Sequence, residues 1–136
     1  QKIDVGVSVE RFFEVITDYE RYPAILSDME SAQIVSRKDG VAEVAFTLNV
    51  VKRVSYTLRL VERPPFTLEW TLVDGPFKRN DGRWTLERLG EDRTRATYHV
   101  DVTVGIFVPK SITNKLVGKT LPAVLESFKR RAESLS

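Results

Sequence analysis

Cysteine is absent from this sequence of 136 residues, and histidine and methionine occur once each. Without cysteine the chain has no disulfide, no thiol nucleophile and no thiolate ligand for a metal. One histidine is too few for the usual zinc sites, which combine several histidine or cysteine ligands. We therefore expect neither a metal nor a cofactor.

Long apolar runs and a charge excess are also missing. No run approaches the roughly 20 apolar residues that span a bilayer. The 21 Lys and Arg against 19 Asp and Glu leave a net charge of +2. Because nucleic-acid binding usually needs a concentrated basic face, we expect no nucleic-acid partner. The sequence shows no basic-then-apolar leader, so a cytoplasmic location is the default expectation.

The residues that are present are typical of a soluble globular protein, with 42% hydrophobic and 29% charged side chains. A chain of this length normally folds as one domain, here residues 1–136. Nothing in the composition indicates an oligomeric state.

The first quarter of the chain predicts one strand followed by short helices. Apolar residues alternate over 3–7, as in a short strand. Ser8 has the position and chemistry of a helix N-cap, and residues 12–16 carry a helical apolar stripe. Residues 19–27 predict a short helix or turn, with Pro23 placed where a new helical turn can begin.

Strands then follow one another, each with an apolar face and a polar face. Asp39-Gly40 predicts a tight hairpin turn, and Pro64-Pro65 should end a strand because neither proline can donate to a ladder. We interpret the segment 72–84 as a turn rich in Gly, Pro, Asn and Asp that joins two strands. The predicted strands lie at 31–37, 44–50, 54–60, 66–72, 84–87 and 96–104.

From residue 111 to residue 135 the apolar period changes to that of a helix, with a kink expected near Pro122. Runs of strands that end in a long helix predict an α+β fold with an antiparallel sheet of about six to seven strands. A twisted sheet of this size curls, and a helix laid across its concave side leaves room for a ligand cavity.

Inward-facing residues of the strands and helices should line this cavity. The aromatic residues among them are numerous, and a buried Tyr or Trp usually needs a polar partner. The expected ligand-binding residues are Tyr22, Phe46, Leu48, Tyr56, Leu58, Trp70, Leu72, Phe77, Trp84, Tyr98, Val102, Leu121, Val124, Leu125 and Phe128.

The polar residues of the sequence do not form a catalytic motif, and we assign no catalytic residue. His99 alternates with Tyr98 and should face solvent. The basic run 129–131 reads as a solvated helix face, with Glu126 placed to pair with Arg130. Four carboxylates early in the chain should be solvated: Asp18, Glu20, Asp28 and Glu30. Two later ones, Asp74 and Asp81, should form turns.

The two most informative segments are LVDGPFKR at 72–79 and GRW at 82–84. With the predicted order of elements, they resemble the START-like superfamily, often called polyketide cyclase/dehydrase, and within it the coenzyme Q-binding and ribosome-association toxin branch. DYERYP at 18–23, the Pro64-Pro65 pair and FKRRAE at 128–133 support this resemblance. It implies a helix-grip fold, in which a curved sheet wraps the C-terminal helix around an apolar cavity for a lipid, quinone or polyketide.

Three functions follow as hypotheses, because this fold hosts binders and enzymes alike. The leading one is non-enzymatic binding, transport or sequestration of a hydrophobic small molecule, oriented by Tyr56 and Tyr98. The second is a cyclase or dehydratase without metal or cofactor, with Arg83 or Tyr56 as the inward polar group. The third is a ribosome- or protein-interaction module with outward Lys52, Arg53, Lys78 and Arg79, which would allow transient ribosome or membrane contact.

Overall fold

The protein folds around one seven-stranded antiparallel sheet; the structure, a computed structural model, describes residues 1–49, 53–104 and 120–135. The strands are β1 (Lys2–Val5), β2 (Met29–Lys38), β3 (Val41–Asn49), β4 (Arg53–Arg63), β5 (Thr67–Asp74), β6 (Phe77–Gly90) and β7 (Arg93–Val104). Their order across the sheet is β1-β7-β6-β5-β4-β3-β2. This confirms the predicted α+β class and the predicted number of strands.

Three helices and one helical turn accompany the sheet in the described residues. Helix α1 (Val9–Ile16) follows β1, and a 3-10 turn (Tyr19–Arg21) leads into α2 (Tyr22–Ile25), whose first turn contains Pro23 as predicted. Helix α3 (Thr120–Ser134) ends the described chain. None of these helices has the length and apolarity needed to cross a bilayer.

The N-cap predicted at Ser8 is present. Its side-chain oxygen accepts a hydrogen bond from the backbone N–H of Arg11 at 3.2 Å. Replacing Ser8 with alanine should lower the free energy of unfolding by about 1 kcal/mol, because one N–H of the first turn loses its acceptor. Urea unfolding measures the loss. Ser8→Asp restores an acceptor and should recover most of it, whereas equal losses in both variants would contradict a capping role.

The hairpin turns explain where the strands end. Asp39 and Gly40 have φ values of 54° and 79°, so this two-residue turn has the left-handed backbone that the Asp-Gly pair predicts. Residues 64–66 turn the chain between β4 and β5, which confirms the break at the two prolines. Phe66 belongs to this turn and is 45% exposed, so its predicted place on the inner face of a strand is wrong.

The segment 72–84 is mostly strand, not the predicted turn. Only Gly75 and Pro76 lie between β5 and β6. From Phe77 onward β6 pairs along β7, up to Gly90 opposite Arg93. Local composition favoured a turn here, but this long pairing with β7 outweighs it, since strand preference depends on tertiary context.

The two aspartates of this segment have different roles. Asp74 accepts a hydrogen bond from the N–H of Gly75 at 3.0 Å, as expected of a turn former. The turn role predicted for Asp81 is wrong. Asp81 lies within β6 opposite Asp101, and both carboxylates form ion pairs with Arg79, at 2.6 Å and 3.4 Å.

The core lies between the inner face of the sheet and the helices. Its largest fully buried side chains include Trp84, Tyr19, Phe12 and Ile16. Helix α3 is fastened to the end of β1, where the N–H of Gly6 donates to Glu133 Oε2 at 2.8 Å.

Part of the C-terminal prediction lies outside the described residues. Within α3, Leu125, Phe128 and Ala132 are buried, as the predicted stripe requires. Pro122 is the third residue of α3, in the first turn, where no intrahelical donor is needed. Three parts of the predictions fall outside the described residues: the predicted helix over 111–119, the side chain of Leu121, and Val50 at the end of its predicted strand.

Candidate functional site

A cavity of about 170 Å³ lies between the inner face of the sheet and the helices α2 and α3. The strands β3 to β7 supply most of its wall, because their inner-face side chains converge under the curve of the sheet. Its walls are Tyr22, Leu26, Asp28, Met29, Phe46, Leu48, Tyr56, Leu58, Leu60, Leu68, Trp70, Phe77, Asn80, Trp84, Tyr98, Val100, Val102, Val124 and Phe128.

Most of the residues expected at the cavity lie around it, because the alternation of each strand places them on one face. Leu72 and Leu125 are elsewhere: Leu72 is partly buried beside the core, and Leu125 is buried in α3. The side chain of Leu121 is outside the description. The expected residues that line the cavity are Tyr22, Phe46, Leu48, Tyr56, Leu58, Trp70, Phe77, Trp84, Tyr98, Val102, Val124 and Phe128.

Two polar residues of the wall, Asn80 and Asp28, were not expected there. Asn80 follows the alternation of Gly82 and Trp84 backward along β6, so that pattern would have found it if the strand had been extended to Phe77. Asp28 stands between α2 and β2, and its carbonyl accepts a hydrogen bond from the N–H of Asn49 at 2.8 Å. No sequence pattern distinguishes Asp28 from the neighbouring solvated carboxylates.

Two glycines hold aromatic residues of the wall in place. Gly75 has a φ of 144°, and a Cβ there would lie 2.6 Å from the Cβ of Tyr56. A Cβ on Gly82 would lie 2.6 Å from the Trp70 ring and would collide with the carbonyl oxygen of His99. Each glycine therefore allows close packing that any larger residue would prevent.

Gly82 also marks the place where the sheet opens. The pairing of β5 with β6 runs from Thr67 opposite Thr85 to Trp70 opposite Gly82. Beyond that point β5 continues to pair with β4, and β6 continues to pair with β7. Beyond Gly82, β5 and β6 are therefore not paired with each other, next to the cavity that Trp70 lines.

Aromatic rings in contact form much of the cavity wall. The ring centroids of Trp84 and Tyr98 lie 4.7 Å apart, and those of Trp70 and Tyr98 lie 5.5 Å apart. On the helix side, Tyr22 is stacked on Phe46 at 5.7 Å and meets Phe128 edge-on at 5.2 Å. Such pairs stabilise a defined wall beyond what their buried area contributes.

The three tyrosines of the wall differ in their hydroxyl groups. Tyr22 donates to the carbonyl oxygen of Ile16 at 2.5 Å. The hydroxyls of Tyr56 and Tyr98 have no hydrogen-bond partner among residues 1–49, 53–104 and 120–135. Burial raises the pKa of both above the ordinary value of 10, so they are neutral hydrogen-bond donors at physiological pH.

A polar contact outside the cavity supports Tyr22. The Tyr19 hydroxyl donates to Glu62 Oε2 at 2.6 Å, and Arg37 pairs with the same carboxylate at 2.9 Å. Burial, followed by this bond to Glu62, raises the pKa of Tyr19. The ring of Tyr19 packs edge-on against that of Tyr22 at 5.9 Å, so the contact fixes the start of α2 beside the cavity.

The remaining candidate residues lie away from the cavity. His99 is exposed on the outer face, as expected. Arg83, the alternative inward group of the cyclase hypothesis, lies opposite His99 in the β6–β7 pairing and is exposed, so that expectation is wrong. Within the described part of the chain, no cluster of three or more His, Cys, Asp or Glu side chains could hold a metal ion.

The charged surface carries mostly local ion pairs. Arg53 pairs with Glu30 at 2.8 Å, and Arg130 pairs with Glu126 at 3.8 Å as predicted. Lys78 and Arg79 are exposed, and Lys52 lies outside the description. Exposed pairs of this kind contribute little to stability, and they dilute the positive charge of the outer face.

The sequence matches the family model described as polyketide cyclase / dehydrase and lipid transport over residues 5–129. No curated protein matches the sequence of this chain.

Solved structures with the same fold share little sequence with this chain. A START superfamily protein from Mycobacterium smegmatis is 22% identical at a TM-score of 0.84, covering 100% of this chain and 97% of that one. The Zhui aromatase/cyclase from a Streptomyces species is 17% identical at a TM-score of 0.86, and the match covers 98% of this chain and 91% of that one. A STAR-related lipid transfer protein from Xanthomonas axonopodis is 15% identical at a TM-score of 0.80, and the match covers 97% of this chain and 83% of that one.

Proposed function

Because this chain belongs to the polyketide cyclase/dehydrase and lipid transport family, we propose that it binds a hydrophobic small molecule in the cavity and holds it without converting it. The observation that carries this proposal is a cavity walled by apolar and aromatic side chains in which the hydroxyls of Tyr56 and Tyr98 have no partner among the described residues. Transport or sequestration of the ligand would both use such a site.

The size and lining of the cavity suit a small, mainly apolar ligand. Apolar cavities of about 150 Å³ hold one benzene-sized molecule, and this one measures about 170 Å³. Burial of apolar ligand surface contributes about 25 cal/mol per Å², from which the cost of ordering the ligand is subtracted. The aromatic walls supply this surface with little rotamer freedom to lose.

The protonation of the tyrosines suits hydrogen bonding to a ligand. A phenol whose pKa is raised by burial keeps its proton at neutral pH and does not act as a base. It does donate a hydrogen bond to a carbonyl or hydroxyl oxygen of the ligand. A lipid, a quinone or a polyketide each offers such an oxygen, and placement in the coenzyme Q-binding and toxin branch stays a prediction.

Native mass spectrometry of gently purified protein tests the proposal directly. We expect an added mass that organic solvent removes, and we expect the stripped protein to bind the small neutral dye 1-naphthylamine. Trp70 and Trp84 are the two tryptophans of the chain and both line the cavity, so occupancy should also change the intrinsic fluorescence. No added mass, together with no dye binding, would contradict a binding function.

Replacing Tyr98 with phenylalanine should weaken binding of the co-purified ligand by about 2- to 10-fold, because one hydrogen bond to the ligand is lost. The free energy of unfolding should not fall, because the Tyr98 hydroxyl has no partner to lose among the described residues. Tyr22→Phe is the matched control: it removes the bond to the Ile16 carbonyl and should lower stability instead. Unchanged affinity in both Tyr98→Phe and Tyr56→Phe would remove the orienting role of these hydroxyls.

A cyclase or dehydratase acting on a poly-keto chain is the second candidate, and Asp28 is the observation that favours it. Its place in the cavity wall supplies a carboxylate that could take a proton from an acidic methylene. The cavity would contribute by folding the chain so that reacting carbons meet. Incubation with a reactive poly-keto substrate tests this. Identical product profiles for wild type and Asp28→Asn would exclude Asp28 from such a reaction.

A further inference from the structure

Asn80 stands out among the buried polar side chains of the described residues. It is 8% exposed, and its amide has no hydrogen-bond partner there. Apart from Tyr56 and Tyr98, whose hydroxyls line the same cavity, the other buried polar side chains are paired: Thr17 donates to the carbonyl oxygen of Phe13 at 2.8 Å, and Thr94 donates to that of Val7 at 2.8 Å. Buried polar groups are nearly always paired, so the exception requires an explanation.

The position of Asn80 supplies that explanation. Its side chain shares the inner face of β6 with Gly82 and Trp84, and it lines the cavity opposite Val102 in the strand pairing. Burying an amide without a hydrogen-bond partner costs free energy. The same amide strengthens the complex when a ligand in the cavity provides the missing bonds.

The chemistry of the amide limits what the ligand can be. A carboxamide donates through its NH₂ and accepts through its oxygen, so it is best matched by a group that does both, such as a hydroxyl or an enol. Charge limits it further. Asp28 is the one charged residue among the wall residues given above, with no Lys, Arg or His beside it. An anionic head group would therefore be desolvated without a counter-charge from these wall residues.

We propose that Asn80 hydrogen-bonds the polar end of the ligand, and that this ligand is a neutral hydrophobic molecule carrying a hydroxyl or enol group. This inference rests on the proposed binding function and adds its ligand class. Under this inference, neutral molecules with a hydroxyl group bind in the cavity, and free fatty acids and other anions bind more weakly.

Three probes of one shape test the proposal: 2-naphthol, 2-methylnaphthalene and 2-naphthoate, titrated into stripped wild type and Asn80→Leu at neutral pH. The decisive quantity is the change, from wild type to Asn80→Leu, in the ratio of the 2-naphthol and 2-methylnaphthalene affinities, because the different hydration of the two probes cancels in that comparison. We expect Asn80→Leu to lower this ratio by about tenfold, since a buried hydrogen bond is lost for one probe only. We expect 2-naphthoate to bind wild type at least about tenfold more weakly than 2-naphthol, as an unpaired buried charge requires.

Two further measurements separate a ligand contact from a structural role. Val102→Ala removes an apolar neighbour, so it should change both affinities and leave their ratio alone. The unfolding midpoint of Asn80→Leu should stay level or rise, because no internal hydrogen bond is lost among the described residues. A fall in both Asn80→Leu and Asn80→Ala would mean that the amide is already paired in the free protein and would overturn the proposal. If Asn80→Leu does not fold, Asn80→Ala tests the same change in the affinity ratio with a smaller side chain.

The outcomes separate this proposal from the binding function. If the probes bind and the ratio is unchanged within twofold in the Asn80 variant, the role of Asn80 is overturned and the binding function stands. If 2-naphthoate binds as well as 2-naphthol, the neutral ligand class is overturned. If neither neutral probe binds and no ligand co-purifies, the binding function fails, and the role of Asn80 fails with it.

Discussion

Replacing Trp84 with alanine should lower the free energy of unfolding by about 3–5 kcal/mol, the usual cost of deleting a large buried aromatic side chain. Trp84 is 2% exposed, and its ring contacts Phe12, Tyr98 and Phe128 at centroid distances of 5.5, 4.7 and 5.6 Å. Urea unfolding followed by circular dichroism measures the loss.

A surface aromatic of the same chain provides the control for Trp84. Phe66 is 45% exposed in the turn after the two prolines, and Phe66→Ala should cost under about 1 kcal/mol. Trp84→Phe keeps a ring among the same neighbours. Its loss of unfolding free energy should lie between those of Phe66→Ala and Trp84→Ala. A loss below about 1 kcal/mol for Trp84→Ala would contradict the place of this residue at the centre of the core.

Replacing Gly82 with alanine should destabilise the protein by about 3 kcal/mol, at the upper end of the usual cost of overpacking. The new methyl group would meet the backbone carbonyl of His99, which β7 holds in the sheet, and the ring of Trp70 at 2.6 Å. Neither can turn away as a flexible side chain would. Because Trp70 lines the cavity, its displacement should also weaken ligand binding.

Gly90 is the matched control for Gly82, since both are β6 glycines without a left-handed backbone. At Gly90 the nearest atom to a new Cβ is 3.8 Å away, so Gly90→Ala should change stability by no more than about 0.5 kcal/mol. The comparison removes the general effect of replacing glycine in a strand. Equal losses at the two positions would show that close packing over Gly82 is not the cause.

Alternation explains why so much of the fold could be predicted. Val54, Leu58 and Leu60 face the core while Arg53 and Arg59 face solvent, as a two-residue period requires. The same period places Tyr98 inward and His99 outward. Turn chemistry at Asp39-Gly40 and capping at Ser8 are equally local, so the residues themselves indicate them.

The start of β6 shows where local information fails. Residues 78–82 contain the polar and glycine residues of a turn, yet they pair along β7. The error in this one boundary hid the inward position of Asn80 and produced the wrong turn role for Asp81. Arg83 is a different case, because alternation with the inward Trp84 already places its side chain on the outer face.

The sequence by itself determined the α+β class, the alternating inner face and the aromatic character of the cavity wall, because each follows from periods of two or 3.6 residues. It also carried the family resemblance at the superfamily level. Only the tertiary structure decided which polar groups face the cavity. Asn80 and Asp28 arrive there through strand pairing and through the path of the chain between α2 and β2, and both depend on contacts between residues far apart in the chain.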